Sequence, residues 1–357
     1  MVCVNCLTFN HSNWILDAMN GFCQQETTFP FICTIVDDNS NDGAQIVINS
    51  FLESNFDLTD NSIAKNAETS DYRLVFAQHK TNKNCFFVVY FLKYNHYQIK
   101  KTKRPYFLIW SEQSKYVAIC EGDDYWISPN KLQKQVEVLE KNQNYSMVCN
   151  RTKLLSVKQN RFIGENYCYD KSRTVNPKDV INRTGLFIST CSIICRAEIR
   201  ENEPSYVAQC KVGDYPLQIM CAMRGEIYYI NDTMSVYRVE NSNSWMGRQK
   251  WTKLSEDRLE IIHSQVRMFC GFAKDYPQYK RVFENKTAQL INRCIPNRKE
   301  SPKDIRAYLS YFDDYVKSYS LRNKIDKFFN LCRIPGVRYI YTQLFMRGYE
   351  QRKKLYK

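Results

Sequence analysis

An α/β fold, with a parallel sheet flanked by helices and a helical region after it, is what this sequence predicts. Three observations carry that reading. Short apolar runs alternate with stretches of helical periodicity, two of the apolar runs end in acidic turns, and from Lys250 onward helical periodicity takes over.

Val2-Cys3-Val4-Asn5-Cys6-Leu7 reads as the opening strand. Thr8-Phe9-Asn10-His11-Ser12 follows, then a helix over residues 14–25 whose apolar face is Ile15, Ala18, Met19, Phe22 and Cys23. A second strand, residues 31–36, ends in Asp37-Asp38-Asn39-Ser40-Asn41-Asp42-Gly43. Asp42 is placed to cap the next helix, whose buried side would use Ile46, Val47 and Phe51. A third strand is expected over 72–76, and strand-helix-strand-helix-strand at this spacing implies βαβ units. Residues 86–94 are apolar and aromatic and are assigned to a helix, with 97–104 as a basic inserted loop.

Tyr116-Val117-Ala118-Ile119-Cys120 is a further apolar strand, and it stops at Glu121-Gly122-Asp123-Asp124. Three carboxylates in four positions repel one another unless a positive charge sits among them. A hard divalent cation that also binds phosphate oxygens meets that need, and a merely solvated turn is the plainer alternative. The acids stand at the carboxyl end of a strand, where open α/β sheets place ligands, and Tyr125-Trp126 would wall the pocket. Ser128-Pro129 is expected to open the next helix, with Leu132, Val136 and Leu139 inward.

Residues 145–150 read as a short strand, 151–175 as mixed, and 186–195 as an extended apolar run. Gly213-Asp214-Tyr215-Pro216-Leu217 opens a helix that Gly225 would close in the usual C-terminal role. Strand-like pieces follow at 227–230 and 234–239. Helices are expected over 254–272, 286–294, 302–319 and 321–332, and two domains over 1–248 and 249–357.

Hydrophobic residues make up 44% of the 357, enough for a sizeable core. No run of eighteen apolar residues exists, and the start lacks the basic-then-apolar layout of a signal peptide, so a cytoplasmic protein is expected. The fifteen cysteines lie mostly inside apolar runs, Cys3 and Cys6 in the first strand, Cys191 and Cys195 in a later one. Buried thiols serving as small hydrophobes account for that placement better than zinc. The net charge of +14 is dispersed, with its densest run at Arg352-Lys353-Lys354, and no nucleic-acid module is visible. That run fits a solvated end or a peripheral contact with the inner face of a plasma membrane.

Taken in order, the opening strand with Thr8-Phe9-Asn10, the turn Val36 to Gly43, Glu121-Gly122-Asp123-Asp124 and the later Gly213-Asp214 resemble the family 2 inverting glycosyltransferases of the GT-A fold, over roughly residues 1–245. They look most like the bacterial members that build surface polysaccharides. The resemblance implies a Rossmann-like, mixed, mostly parallel sheet flanked by helices and a nucleotide-diphosphate sugar as donor. The acceptor it implies is a glycan or lipid-linked glycan.

By the same resemblance Thr8, Phe9, Asn10 and Asp38 hold the nucleotide, with Phe9 against the base and Asp38 accepting from a base N–H, as suits uracil. Asp123 and Asp124 match the DxD-type motif, Asp123 toward the ribose, both toward Mg2+ or Mn2+ on the diphosphate. Glu121 stands where many relatives carry aspartate. Asp214 matches the catalytic base, although Gly-Asp before Pro-Leu is also a good helix start. Glu240 stands where relatives often place histidine near the metal, and either keeps an oxygen ligand there or leaves that contact out. Thr190 and Trp245 would line the sugar or acceptor pocket, or pack in the core. Rival readings are a nucleotide- or glycan-binding GT-A domain without turnover, a sugar nucleotidyltransferase, and a polyanion binder.

Overall fold

The structure, a computed structural model, describes residues 2–240, 256–293 and 312. The chain forms two compact units that interleave along the sequence. The first comprises Met1–Val175, Leu186–Glu201 and Arg224–Asn243, the second Asn176–Gly185, Asn202–Met223 and Ser244–Lys357.

In the first unit β1 (Val2–Thr8) leads through α1 (Ile15–Cys23) to β2 (Phe31–Asp37), then through α2 (Ala44–Asn55) to β3 (Phe56–Asp57), β4 (Lys65–Glu68), β5 (Tyr72–His79) and β6 (Cys85–Leu92). Helix α3 (Arg104–Ser111) and β7 (Tyr116–Ile119) follow, then β8 (Tyr125–Trp126), α4 (Lys131–Lys141), β9 (Tyr145–Ser156), β10 (Arg161–Asn166) and β11 (Arg173–Thr174). β12 (Ile194–Arg196) and β13 (Glu226–Val239) complete a 13-stranded sheet. Its order is β11-β13-β9-β12-β7-β1-β2-β6-β5-β3, with β10 on β9, β4 on β5 and β8 on β13.

The central neighbours β7, β1, β2 and β6 are mutually parallel. β12 is antiparallel to both β7 and β9, and β5 to β6. The sheet is therefore mixed. Parallel strands covered on both faces need near-continuous apolar sequence, and Phe31–Asp37 is buried at every position. Helix α1 buries Ile15, Ala18, Met19 and Phe22 at helical spacing, as expected.

Several expectations are corrected. Residues 86–94 are not a helix: Cys85–Leu92 is a parallel strand beside β2. A run of β-branched and aromatic residues with no polar face suits a strand covered on both sides, and length alone did not separate it from a helix. The segment over 72–76 belongs to a strand antiparallel to β6, so the βαβ pattern does not extend to it. Helix α2 faces inward through Ala44, Ile48, Phe51 and Leu52, which leaves Ile46 72% exposed. Helix α4 begins at Lys131 with Asn130 rather than Ser128 before it. Trp126 is a core residue, its indole N–H donating to the Cys191 carbonyl at 2.8 Å and its ring edge-on to Phe22, so it walls no pocket. The run 186–195 is folded into 3-10 turns at Gly185–Phe187 and Thr190–Ser192 before β12. Gly225 has no left-handed backbone; a Cβ there would meet the Asn144 carbonyl at 2.8 Å, so it is needed for close approach. The pieces 227–230 and 234–239 are one strand with register shifts between them.

The cysteines of β1, β2, β6 and β9 are buried free thiols within the sheet. No helix among the described residues is long and apolar enough to cross a membrane.

In the second unit α5 (Pro177–Arg183) is capped by the Asn176 side chain, which accepts from the Lys178 amide at 3.0 Å. Then come α6 (Ser205–Ala208), α7 (Asp214–Arg224), α8 (Glu256–Asp275) and α9 (Lys280–Arg293), the last two separated by a 3-10 turn at Pro277–Tyr279. Phe269, Phe272 and Phe283 form its core, with Tyr206 edge-on to Phe272 and Tyr215 edge-on to Phe269. The helices expected over 302–319 and 321–332 lie outside the described residues.

Candidate active site

Parallel strands end on the same side of a sheet, so β1, β2, β6 and β7 deliver their following segments to one edge. Main-chain and side-chain bonds stitch these segments together. The Asp38 amide donates to the Thr8 carbonyl at 3.0 Å and the Gly122 amide to the Leu7 carbonyl at 2.9 Å. The Asn10 amide donates to Ser40 Oγ at 2.9 Å, Asn41 to Asn10 Oδ1 at 3.0 Å, and the Ser12 amide to Asp42 Oδ2 at 2.8 Å. Asn10 and Asn39 both sit at positive φ, which asparagine tolerates better than most residues. Asp37 is fully buried and builds the turn itself, accepting from the Ser40 amide and hydroxyl and from Gln45. Thr8 is also fully buried, and Phe9 and Asn10 are half-buried.

The acidic turn lies directly against the end of β1. A Cβ on Gly122 would stand 2.7 Å from Thr8 Cβ and Oγ1 and 3.0 Å from Ile15 Cδ1. Only a glycine lets the turn approach that closely. Gly122→Ala is expected to destabilise the protein by about 1–3 kcal/mol, as overpacking does, read as a lower urea midpoint.

Asp124 is 1% exposed. Its Oδ1 accepts from the Arg238 amide at 2.8 Å, while its buried Oδ2 has no hydrogen-bond partner among the described residues. Burial first, and then the neighbouring Asp123 charge, push its carboxyl well above the ordinary carboxylate range. Asp123, also buried, has Oδ2 3.8 Å from His11 Nε2. A buried carboxylate oxygen with no donor, beside a second carboxylate, is the hard-oxygen arrangement that a divalent cation fits. No set of three or more His, Cys, Asp or Glu able to hold a metal exists among the described residues. Two carboxylates with substrate phosphates and water is the ligand set magnesium-type sites commonly use.

Arg238 organises this turn from β13. Besides its amide on Asp124, its Nη1 donates to the Asp123 carbonyl at 2.7 Å and its Nη2 pairs with Asp17 of α1. Its guanidinium lies 4.6 Å from the Tyr125 ring centroid. The planar fork reaches three groups at once, which a lysine ammonium does not do in one geometry. Arg238→Lys is expected to cost about 1.5–3 kcal/mol in stability and to weaken metal-dependent nucleotide binding about 10–100-fold, the scale of lost outer-shell partners. Urea denaturation and calorimetry read the two effects separately.

Asp38 is 2% exposed. Its carboxylate accepts from the His96 amide at 2.7 Å, the Tyr97 amide at 3.2 Å and Lys103 Nζ at 2.9 Å. It thereby fixes the segment after β6 to the turn after β2. Neither this tie nor the contacts of Arg238 and His11 was anticipated from the sequence. The strand that carries Arg238 also holds Glu226, Asn231 and Asp232, so its charge does not stand out in the sequence.

The other expected residues lie as follows. Glu240, exposed and at positive φ just past β13, accepts from the Ser156 hydroxyl. Thr190 is half-buried in a 3-10 turn of the first unit. Trp245 lies outside the described residues. Asp214 belongs to the second unit, where it is the first residue of α7; its Oδ1 accepts from the Tyr215 amide at 2.8 Å. The acidic turn, Thr8, Phe9, Asn10 and Asp38 are thus gathered at one sheet edge of the first unit.

No protein-family model matches the chain. An uncharacterized protein of Mycobacterium tuberculosis, Rv1520, is 26% identical over 245 residues, 67% of this chain and 59% of its own length. An uncharacterized protein of Mycobacterium bovis, Mb1547, matches to the same extent. The chain spans 59% of the length of the curated relatives it matches. Among solved structures, S. aureus TarS 1-349 in complex with UDP superposes with a TM-score of 0.58 at 12% identity, over 96% of this chain and 91% of that one. The same TarS segment in complex with UDP-GlcNAc gives 0.53 at 13% identity with the same coverage. At such identity the likeness is one of architecture: the mixed sheet flanked by helices, with a helical region toward the C-terminus, is the GT-A fold.

Proposed function

We propose that this chain is a glycosyltransferase that takes a sugar from a nucleotide-diphosphate sugar, UDP-sugars favoured, and joins it to a hydroxyl of a glycan or lipid-linked acceptor. The observation that carries this reading is Asp124, buried, with one oxygen fixed by the Arg238 amide and the other without a donor. The likeness of fold to a protein crystallised with UDP and with UDP-GlcNAc supports the choice of nucleotide. Fold alone does not fix activity, so the site has to bear the argument.

In this reading Asp124 and Asp123 would hold Mg2+ or Mn2+ together with substrate phosphates and water. Glu240, which accepts from the Ser156 hydroxyl, is not gathered with them into a three-carboxylate set among the described residues. The ion supplies Lewis-acid neutralisation of the diphosphate that leaves. Phe9 lies against the base, and Asp38, already ordering the segment after β6, presents its carboxylate toward a base N–H. Thr8 and Asn10 contribute through the main chain and loop that they hold in place. Arg238 keeps the acidic turn in register before donor arrives, so no ordering is left for the binding step. Asp214 takes the proton from the acceptor hydroxyl as that oxygen attacks the anomeric carbon. A single displacement inverts configuration, by the logic that governs inverting hydrolases. Thr190 and Trp245 line the sugar or acceptor side. We place the enzyme, as a family 2 member, in polysaccharide synthesis at the cytoplasmic face of the plasma membrane, with the basic C-terminal end near the bilayer. In this reading the chemistry belongs to residues 1–248, which contribute to both compact units.

Calorimetric titration of UDP, with Mn2+ and then with EDTA, tests the reading. Binding that requires the ion is expected, with GDP weaker. Failure of both nucleotides to bind in the presence of Mn2+ would leave a GT-A domain without donor chemistry.

A further inference from the structure

The segment 93–104 that Asp38 anchors carries a second feature. Its sequence, Lys93-Tyr94-Asn95-His96-Tyr97-Gln98-Ile99-Lys100-Lys101-Thr102-Lys103-Arg104, has five cations, and no acidic residue occurs before Glu112. Tyr94, Tyr97 and Ile99 are 56%, 57% and 58% exposed. A single exposed apolar residue needs no explanation; three within six positions on one loop do.

The loop is also held by a set of hydrogen bonds. Besides the three donors on Asp38, the Gln98 amide donates to Asn95 Oδ1 at 2.8 Å, and the Lys101 amide to the His96 carbonyl at 2.8 Å. Lys100, at positive φ, turns the chain just after Ile99. Three cations are neutralised locally, Lys93 by Glu68, Lys101 by Asp71 and Lys103 by Asp38. Lys100 forms no ion pair among the described residues and stays exposed beside Ile99. Aromatic and aliphatic tips ringed by cations match a bilayer interface, where tyrosine rings sit at headgroup depth and basic side chains meet anionic lipid.

We propose that the loop 93–104 is a preformed wedge that docks on an anionic membrane surface, with Tyr94, Tyr97 and Ile99 entering the interface and Lys100 contacting the headgroups. The loop is tied to Asp38 at the strand-end edge, so docking brings that edge to the bilayer. The inference needs no transferase activity; it adds to the proposed function a specific surface, separate from the C-terminal end, through which a lipid-linked acceptor is met.

The test is co-sedimentation of the full chain with vesicles of phosphatidylcholine alone and with vesicles of phosphatidylcholine and phosphatidylglycerol in equal parts. Binding to the mixed vesicles is expected, with Ile99→Asp and Lys100→Glu each lowering the partition coefficient about tenfold. Ile46→Asp, at an exposed isoleucine on α2, should leave it unchanged. All variants keep the C-terminal end, so the differences belong to the loop. UDP titration of Ile99→Asp should match the parent chain, which separates failure of this inference from failure of the nucleotide site. Absence of binding to the mixed vesicles overturns the proposal, and so does binding that Ile99→Asp and Lys100→Glu leave intact. An equal loss in Ile46→Asp overturns it as well.

Discussion

Asp124→Asn is expected to weaken Mn2+-dependent UDP binding by more than about 100-fold. Loss of an outer-shell partner at a metal site already costs about 10–100-fold, and Asp124 is the carboxylate whose buried Oδ2 is left without a donor. Asparagine keeps an oxygen to receive the Arg238 amide, so the turn stays in place while the ligand charge is lost. Calorimetry in Mn2+ reads the effect directly, and an unchanged affinity would remove the metal from the proposed function. A pH signature accompanies it. Burial and the Asp123 charge raise the Asp124 carboxyl above its ordinary value. Between that ordinary value and the raised one, the native state holds a proton that the unfolded chain has released. Stability of the metal-free protein therefore falls as pH rises through this window. Metal binding needs the carboxylate, so stabilisation by Mn2+ should grow over the same range. Thermal melts at acidic and neutral pH, with Mn2+ and with EDTA, should show both trends in the parent chain and neither in Asp124→Asn.

The parts of this molecule that could be read ahead of the structure are those where local sequence and tertiary demand agree. Val2–Thr8 and Phe31–Asp37 are apolar because central parallel strands are covered on both faces. The acidic residues follow them because strand ends are where the backbone turns. Cys85–Leu92 misled for the same reason that it is a good strand: with no polar face, its period is undefined. Asp37 and Asp38 look alike in sequence, yet one ties its own turn through Ser40 and Gln45 while the other reaches 58 residues along the chain to His96. Partners that distant leave no local pattern. Arg238 stands in the same position, as does Lys131, fully buried in α4 with its ammonium 2.7 Å from Gln135 Oε1 and 4.2 Å from the Trp126 ring centroid. Burial holds that lysine down at about 8. By sequence alone both residues belong on the surface.

Asp214→Asn should leave Mn2+-dependent UDP binding intact and lower sugar transfer about 10^2–10^4-fold, the range supplied by a positioned general base. The competing account is structural, since Asp214 opens α7 and its Oδ1 takes the Tyr215 amide. Tyr215 is in turn held by its hydroxyl, which donates to the Ile181 carbonyl at 2.5 Å, so the helix start is anchored without the carboxylate. Loss of a helix-start carboxylate costs about 0.5–2 kcal/mol and would not touch turnover per folded molecule. The two accounts differ in a second respect. A general base must be ionised to accept the proton of the acceptor hydroxyl. Removing the base should therefore erase the acid limb of the rate–pH profile, whereas removing a structural contact would lower the urea midpoint and leave that limb in place. Transfer assayed with UDP-sugars against lipid-linked glycan acceptors, across pH, separates them. A variant that is less stable but fully active would return Asp214 to the helix it begins.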